Sequence, residues 1–309
     1  MADLKTKIGN IDFPGFIFNA SGPDDVTLAE LEKIGRSDSA AIKMKSCTLE
    51  ARTGNEEPRY ADLPKGSIQS MGLPNLGYKK YLEFIPKLKK FRKPIIASIA
   101  GLCAKDYPIM VSSFQKSQVD LIEINLSCPN IKGKPQIAYD FAKTEKILSV
   151  VSKLGKKPMG LKLPAYYDFV HHQLMAKLIA KYKFSFVTCI NSIGNCLVIN
   201  PKTEKPLIKP KGGFGGLGGA TIKPVALANV KIFYDLLPKD VAVIGVGGIY
   251  SGLDAFEFLL AGSSAVQVAS VFSQQGVGCF KRIQNELNKT LNNKKYSSVL
   301  TARGQLKQL

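Results

Sequence analysis

The sequence predicts an α/β protein, a (β/α)8 or TIM barrel with inserted hairpins and loops at its C-terminal mouth. Eight short apolar segments follow one another along the 309 residues, and amphipathic helical segments separate them. The apolar segments are residues 16–22, 40–46, 94–101, 121–127, 158–164, 184–192, 241–249 and 264–271. Eight β/α units in a chain of this length are typical of one barrel, so we expect residues 1–309 to form a single domain.

The individual segments support this prediction. The strands are near-continuous apolar runs, as in buried parallel sheets. The intervening stretches, such as "TLAELEKIG" and "GYKKYLEFIPKLKKF", carry apolar residues at i, i+3 and i+4, the pattern of amphipathic helices. A doubly wound open sheet is the alternative, but it usually has fewer strands and a glycine-rich turn after the first one.

Two segments exceed a minimal barrel. Residues 58–75 follow the second strand, and residues 196–219 follow the sixth. The second insertion predicts a hairpin around "PKTEKP" that leads into a glycine-rich loop. Insertions on the carboxyl side of barrel strands build or cover active sites.

Composition narrows the function. The chain is 45% hydrophobic, and no apolar run approaches the roughly 18 residues that span a bilayer. The N-terminus "MADLKTKIGNIDFPG" does not resemble a secretory signal, so we expect a cytosolic protein without membrane association. The formal charge is +19, from 43 basic and 24 acidic residues, but the lysines are spread along the chain. This distribution indicates a solvated surface and predicts no nucleic-acid partner, while single lysines remain candidates for binding small anions.

Cysteines and histidines indicate neither disulfides nor a metal site. The six cysteines include no Cys-x-x-Cys pair, and a chain of this length needs no disulfide to be stable, so we expect free thiols. The only histidines are the adjacent His171 and His172, in a helical segment. Because adjacent helical residues face different directions, they do not form a zinc pair, and no metal is expected.

Polar residues stand at the carboxyl ends of the predicted strands, and in a barrel these ends converge on one mouth. They are Asn19, Ser21, Lys45, Ser46, Asn125, Ser127, Cys128, Asn130, Lys162, Asn191 and Ser192. Two lysines among several amides predict a site for an anionic ligand that makes many hydrogen bonds. After the seventh and eighth strands, "GVGGIYSG" and "VASVF" place small residues before helical segments, which predicts a phosphate site made of backbone N–H groups.

Longer motifs carry a family resemblance. They include "NASG", "EEPRY", "SMGLPN", "EINLSCPN", "GKPQIAYDF", "GLKLP", "INSIGN", "KPKGGFGGLGG" and "IGVGGI". In order and spacing the chain resembles, over essentially its whole length, the family-1A dihydroorotate dehydrogenases. These are soluble FMN enzymes of pyrimidine biosynthesis that oxidise dihydroorotate to orotate.

The resemblance implies a role for each matching residue. FMN would be bound by Ala20, Ser21, Gly22, Lys45, Ser46, Asn125, Lys162, Ile190 and Ser192, and its phosphate by Gly219, Gly247, Gly248 and Ser270. The substrate would contact Lys45, Gln69, Met71, Gly72, Leu73, Asn125, Asn130, Asn191 and Ser192. Catalysis would fall to Cys128, Lys45 and Lys162, with Cys128 as the base.

The chemistry of Cys128 is consistent with this role. Oxidation removes a proton from C5 of the substrate and a hydride from C6, and a cysteine displaced past its strand can approach the face opposite the flavin. A free thiol has a pKa of about 8.5, which is high for a base at neutral pH. We therefore expect Lys45 and Lys162 to lower the pKa of Cys128.

Cys128 also separates the subclasses. In family-2 enzymes the base is a serine, and an N-terminal hydrophobic extension precedes the barrel. Family-1B enzymes share the cysteine but pass electrons to NAD through a second protein. The motifs resemble 1A, which implies fumarate, reduced to succinate, as electron acceptor, and a homodimer.

Three positions depart from the family pattern. Gln69 replaces an asparagine that normally contacts the substrate, the acidic run "PDDVT" follows "NASG", and Cys196 replaces a glycine in "SIGNC". Two other functions remain open. One is a tRNA-dihydrouridine synthase, which also pairs FMN with a cysteine but carries an additional helical RNA-binding domain. The other is a non-catalytic basic protein that binds nucleic acid.

Overall fold

The strands of the barrel and of its insertions were located in a computed structural model that describes residues 1–130, 133 and 136–309. Part of the "EINLSCPNIKGKP" loop and of the "GKPQIAYDF" motif lies outside these described residues. The strands are β1 (Thr6–Ile8), β2 (Ile11–Phe13), β3 (Ile17–Asn19), β4 (Ile42–Lys43), β5 (Tyr60–Leu63), β6 (Gly66–Gln69), β7 (Ile95–Ile99), β8 (Leu121–Asn125), β9 (Met159–Leu163), β10 (Phe186–Cys189), β11 (Ile193–Leu197), β12 (Ile199–Asn200), β13 (Lys205–Pro206), β14 (Phe214–Gly219), β15 (Ala242–Val246) and β16 (Ala265–Val268).

Helices follow most of the barrel strands. They are α1 (Leu28–Arg36), α2 (Tyr78–Leu88), α3 (Asp106–Gln115), α4 (Phe141–Val151), α5 (Phe169–Lys181), α6 (Lys223–Leu236), α7 (Gly252–Leu260), α8 (Ser270–Gln275), α9 (Gly278–Asn293) and α10 (Val299–Ala302). Local sequence sets several of their starts. Thr27 and Glu30 form a capping box on α1, in which each side chain accepts a hydrogen bond from the other's backbone N–H.

Eight parallel strands form the barrel wall in the order β3-β16-β15-β10-β9-β8-β7-β4. The two ends of this order meet through a 2.9 Å hydrogen bond from the backbone N–H of Ala40 to the carbonyl of Ile17. The Asn19 side chain completes the junction, because it donates to the Lys43 carbonyl (2.7 Å) and accepts from the Lys43 N–H (3.0 Å). The predicted (β/α)8 barrel is confirmed.

An apolar cluster fills the amino-terminal end of the barrel. It contains Ile8 and Phe13 from the β1–β2 hairpin together with Phe18, Leu121 and Phe186 of the barrel strands. Leu121 and Phe186 are the first residues of their strands, so the hairpin closes this end. A larger cluster lies between the strands and the helices. These apolar side chains fill the amino-terminal end of the barrel, so a ligand site is expected at the carboxyl end.

The two insertions combine into one antiparallel sheet in the order β11-β14-β6-β5, which the sequence did not predict. The hairpin around "PKTEKP" is confirmed as β12–β13, but the glycine-rich segment expected to be a loop is strand β14. Its glycines allow close pairing with β6: a Cβ on Gly219 would clash with Gly66, and one on Gly215 would lie 2.7 Å from the Gln69 carbonyl. In β14, the hydrogen bonds to the neighbouring strands outweigh the preference of glycine for loops, because the absence of side chains lets the backbones approach closely.

Candidate functional site

A cavity of about 470 Å³ lies at the carboxyl ends of the barrel strands, beside the insertion sheet. This volume is typical of a small-molecule site. Every residue that the motifs assigned to the site lines it: Ala20, Ser21, Gly22, Lys45, Ser46, Gln69, Met71, Gly72, Leu73, Asn125, Cys128, Asn130, Lys162, Ile190, Asn191, Ser192, Gly219, Gly247, Gly248 and Ser270. The structure thus brings these residues together, while the role of each one stays a prediction.

Cys128 lies on the loop that follows β8. The strand ends because the Asn125 side chain folds back on the chain, where its Oδ1 accepts a hydrogen bond from the backbone N–H of Ser127 at 3.1 Å. Pro129 has no N–H with which to continue the ladder. Cys128 therefore sits past the strand end, partly exposed in the cavity.

The expected lowering of the Cys128 pKa is wrong in its net direction. Burial raises the pKa of the Cys128 thiol, while a backbone hydrogen bond from Asn130 and the charges of Lys45, Arg52 and Lys162 lower it by less. The cost of desolvating a thiolate exceeds the attraction of these charges. Cys128 is therefore a protonated thiol at neutral pH, and the fraction that can act as a base grows as the pH rises.

Lys45 faces a buried carboxylate that the sequence reasoning did not assign. Its Nζ lies 3.6 Å from Oδ1 of Asp25 and donates a hydrogen bond to the Gly22 carbonyl. The Gly22 N–H in turn donates to Oδ2 of Asp25, at 2.9 Å. Burial raises the pKa of Asp25 to about 7, against the opposing charge of Lys45. Asp25 belongs to the acidic "PDDVT" run, so the departure from the family pattern was the signal that could have identified it.

A polar layer lies deeper in the barrel, between the cavity and the apolar cluster at the amino-terminal end. Lys43 Nζ donates to Glu123 Oε1 at 2.5 Å and to Gln267 Oε1 at 3.0 Å, and Thr188 Oγ1 donates to Glu123 Oε2 at 2.7 Å. These side chains are fully buried. The sequence contained one signal for Lys43. Residues two apart on a strand share a face, so Lys43 could have been placed on the same face as Lys45. Gln267 links the layer to the cavity, which it lines.

Lys162 lies between this layer and the cavity. It stands opposite Asn125 in the β8–β9 register and is 5% exposed. Burial lowers the pKa of Lys162, and the negative charge of Glu123 opposes that change. No hydrogen bond leaves Nζ of Lys162 within the described part of the chain. A buried ammonium with free donors is suited to an anionic or carbonyl oxygen of a ligand.

Hydrogen bonds fix the amides around the cavity. Asn125 Nδ2 donates to Ser46 Oγ at 3.2 Å, and that hydroxyl also lies 3.0 Å from Ser21 Oγ. Asn191 Nδ2 donates to the Ser127 carbonyl at 3.0 Å, while its Oδ1 accepts from the Ser192 N–H at 2.8 Å. These amides are held in place before any ligand arrives, which reduces the entropy lost on binding.

Two residues expected at the mouth do not line the cavity. Both the nitrogen and the oxygen of the Asn19 side-chain amide hydrogen-bond to the backbone of Lys43, at the barrel junction. Ser127 is buried and donates to the Lys162 carbonyl at 3.0 Å. Each supports the strand ends, because a side chain replaces ladder bonds that the diverging backbone cannot make. Tyr60 and Tyr250 line the cavity without having been predicted.

The predicted phosphate end lies between β14, β15 and β16. Gly219, Gly247 and Gly248 have φ of 95°, 131° and 76°, conformations that only glycine adopts without strain. The start of α7 is not available to an anion, because Ser251 and Asp254 already cap it. The N-terminus of α8, at Ser270, carries no side-chain cap and borders the cavity.

These residues fit FMN. A Cβ on Gly22 would meet no protein atom within 4 Å, so the wall is open there for a ligand. The uncapped glycine turns suit a phosphate. The unpaired ammonium of Lys162 suits the polar edge of an isoalloxazine ring.

Neither metal ligands nor membrane spans were found in the described residues. No group of three or more His, Cys, Asp or Glu side chains there could hold a metal ion. His172 is buried and bonded to Asn229, whereas His171 pairs with Asp168 on the surface. No helix in that part of the chain is long and apolar enough to cross a bilayer. All six cysteines are free thiols.

The barrel and its cavity define a barrel enzyme whose site combines a cysteine, two buried lysines and fixed amides. The dihydroorotate dehydrogenase family profile matches residues 3–291. Two relatives named "Dihydroorotate dehydrogenase A (fumarate)", from Lactococcus lactis subsp. cremoris strain MG1363 and subsp. lactis strain IL1403, are each 46% identical over 99% of this chain and 100% of their own. The chain belongs to the dihydroorotate dehydrogenase family, which confirms the family predicted from the motifs.

A solved structure shows the same fold. The crystal structure of DHODH from Eimeria tenella in complex with ferulenol superposes with a TM-score of 0.81 at 20% identity, over 98% of this chain and 88% of that one. The agreement at such low identity shows that the barrel tolerates extensive sequence change.

Proposed function

We propose that this protein oxidises (S)-dihydroorotate to orotate in de novo pyrimidine biosynthesis, with FMN as its cofactor and fumarate as the final electron acceptor. The observation that carries the proposal is the cavity, in which Cys128, Lys45 and Lys162 meet the fixed amides. Full-length similarity to the fumarate-named Lactococcus enzymes supports the choice of acceptor.

The cavity residues would divide between cofactor and substrate. FMN would be held by Ala20, Ser21, Gly22, Lys45, Ser46, Asn125, Lys162, Ile190 and Ser192, with its phosphate on Gly219, Gly247, Gly248 and Ser270. Bound FMN would supply the hydride acceptor. Substrate would be held by Asn125, Asn130, Asn191, Ser192 and Lys45, and by the segment Met71–Leu73.

The chain's own contribution is position, charge and a base. Cys128 would take the C5 proton, because its loop brings Sγ into the cavity beyond the β8 strand end. Lys45 and Lys162 would stabilise the negative charge that develops on substrate and cofactor oxygens. The buried Glu123 would favour the charged form of Lys162, because its negative charge opposes the lowering of the Lys162 pKa by burial.

The first test uses the purified protein. We expect it to contain FMN, to be bleached anaerobically by dihydroorotate, and to regain its flavin absorbance faster with fumarate than with NAD or a quinone. Stopped-flow absorbance measures each half-reaction. If dihydroorotate does not reduce the bound flavin, the substrate proposal is wrong, and if NAD is the better oxidant, the acceptor is wrong.

We propose further that residues 1–309 act as one domain and that two copies form a homodimer. The larger apolar cluster runs from Ala2 to Ala302, which supports a single domain. An exposed apolar surface supports the dimer: Tyr167 lies beside Cys196 of β11, and Leu197 of that strand is paired with Phe214 of β14. Exposed apolar surface of this kind is typical of an interface between chains.

The dimer has its own test. We expect sedimentation velocity to show a dimer at micromolar concentration, and we expect Phe214→Lys to shift it toward monomer because an ammonium would be buried in the interface. Leu300→Lys is the control, since Leu300 is an exposed apolar residue on α10. A dimer that is as stable with Phe214→Lys as with Leu300→Lys would exclude this surface.

A further inference from the structure

Gln69, the last residue of β6, has both ends of its side-chain amide bonded to protein. Oε1 accepts from the Met71 N–H at 3.2 Å and from Asn130 Nδ2 at 2.9 Å. Nε2 donates to Ser192 Oγ at 3.1 Å. The family resemblance predicted a direct substrate ligand at this position. The observed contacts connect Gln69 to three other residues of the cavity wall, Met71, Asn130 and Ser192.

The Met71 backbone determines which way this amide points. A backbone N–H can only donate, so the atom of Gln69 that faces it must be the carbonyl oxygen. The amide nitrogen of Gln69 then has to face Ser192. One backbone donor thus fixes the polarity of the whole cluster.

Asn130 is oriented as a consequence. Because Oε1 of Gln69 is an acceptor, the atom of Asn130 that contacts it must be Nδ2, which leaves Oδ1 on the other side of the amide. Asn130 is 3% exposed, and its Oδ1 is buried with no hydrogen-bond partner in the described residues. The Asn130 carbonyl accepts from Asn55 at 3.1 Å, which holds the backbone in place. A buried acceptor without a partner is costly, so a ligand N–H would gain by bonding to it.

Ser192 is oriented with the opposite polarity. Its Oγ accepts from Nε2 of Gln69, so its own hydroxyl hydrogen remains free to donate. Ser192 lines the cavity, as Asn130 does. The wall therefore carries an acceptor at Asn130 and a donor at Ser192, with Gln69 between them.

Gly216 of β14 makes room for this arrangement. It pairs with Gln69 across the insertion sheet, and a Cβ there would clash with Ser192 Oγ and lie 3.0 Å from Gln69 Nε2. A methyl group at this position would displace Ser192 first and the Gln69 amide with it, without changing the chemistry of either side chain. Gly216→Ala therefore tests whether the Gln69–Ser192 contact is needed, whereas Gln69→Leu tests the amide itself.

We propose that Gln69 is a positioning residue that makes Asn130 an acceptor and Ser192 a donor, so that the cavity selects the adjoining N–H and C=O groups of a cyclic amide. This proposal rests on the proposed function, in which dihydroorotate and orotate supply such an edge. A ring that lacks the N–H would leave Asn130 Oδ1 unpaired, and one that lacks the carbonyl would leave the Ser192 hydroxyl unpaired.

The test is equilibrium binding of orotate, followed by the change in flavin absorbance of the FMN-loaded protein. For the native protein, we expect at least one of N1-methylorotate and N3-methylorotate to bind roughly five- to a hundredfold more weakly than orotate, the effect of one lost hydrogen bond in a closed site. With Gln69→Leu, orotate itself should weaken by a similar factor, and the ratio between the methylated and unmethylated ligands should fall toward one.

Matched variants separate positioning from general damage. Gly216→Ala should reproduce the loss of discrimination, while Gln284→Leu on α9, remote from the cavity, should keep it. Gln69→Asn, one methylene shorter, should cost up to about tenfold in kcat/KM for dihydroorotate, mainly through KM. In a double-mutant cycle, Ser192→Ala should cost less in the Gln69→Leu background than in the native one.

Two results would overturn the proposal. If Gln69→Leu and Gly216→Ala retain FMN and the native ratio between orotate and its methyl derivatives, Gln69 does not set the polarity of the wall. If Gln69→Leu and Ser192→Ala are additive, the two residues are not coupled. A native FMN protein whose spectrum does not respond to orotate would instead contradict the proposed function, and the two failures are therefore distinguishable.

Discussion

Cys128→Ser is expected to retain FMN and orotate binding but to slow flavin reduction by dihydroorotate at neutral pH by about two orders of magnitude or more, the usual effect of removing a positioned base. A serine hydroxyl occupies nearly the same space but is a far weaker acid than a thiol. The measurement is anaerobic stopped-flow absorbance with saturating dihydroorotate. Some activity should return as the pH rises.

The native protein should show a pH dependence of the same origin. Burial raises the pKa of Cys128, so the thiolate is the minor form at neutral pH and its population grows about tenfold per pH unit. The rate of flavin reduction should therefore rise through the neutral range and level off only above the ordinary thiol value. Cys196→Ser is the control, because Cys196 does not line the cavity and its Sγ bonds to the backbone carbonyls of Ile193 and Gly194, so the change should be nearly silent. A fully active Cys128→Ser protein would show that another group is the base.

Glu123→Gln is expected to lower the free energy of unfolding by about 3–5 kcal/mol, the typical cost of leaving one partner of a buried ion pair alone. Glu123 accepts hydrogen bonds from Lys43 and Thr188 in the polar layer, where no water can replace it. Glutamine keeps the shape but removes the charge that balances Lys43. Urea denaturation of the FMN-loaded and FMN-free protein measures the loss.

The loss should shrink at alkaline pH. Burial already lowers the pKa of Lys43 to about 8, with Glu123 opposing, and removal of Glu123 should lower that pKa further. Between the pKa of Lys43 in the folded protein and its higher pKa in the unfolded chain, the unfolded chain binds more protons than the folded protein, so stability rises with pH. This range begins at a lower pH in the variant, and the difference from the native protein therefore shrinks. Glu145→Gln is the control, because Glu145 pairs with Lys181 on the surface, and it should change stability little. Equal effects of the two substitutions would mean that the Lys43–Glu123 pair does not stabilise the barrel.

Local patterns in the sequence predicted the barrel, and most of the polar strand-end residues that they selected line its mouth, with Asn19 and Ser127 as the exceptions. Apolar runs, helical periodicity and turn residues are properties of neighbouring residues, and the rule that strand ends converge placed Lys45, Asn125 and Lys162 at one mouth. The family motifs added residues that no strand-end rule selects, namely Ala20, Gly22, Gln69, Met71, Gly72, Leu73, Ile190 and Gly219. The predicted strands were longer than the observed ones: residues 40–46, for example, contain only β4, Ile42–Lys43. The ladder to β7 is interrupted at Lys45, whose backbone N–H donates to the Asp25 carbonyl at 3.1 Å. It resumes at Cys47, whose N–H donates to the Ser98 carbonyl at 3.0 Å.

Only the tertiary structure determined which side chains become partners, because these partners lie far apart in the chain. Gln69 meets Ser192 across 123 positions, and Lys43 meets Glu123 across 80, and no local pattern states such a partner. The direction of the Cys128 pKa likewise depended on burial, which the sequence could not weigh against the charges of nearby lysines. Strand propensity and turn chemistry act over a few residues, whereas desolvation and hydrogen-bond polarity depend on everything that surrounds a side chain once the chain has closed.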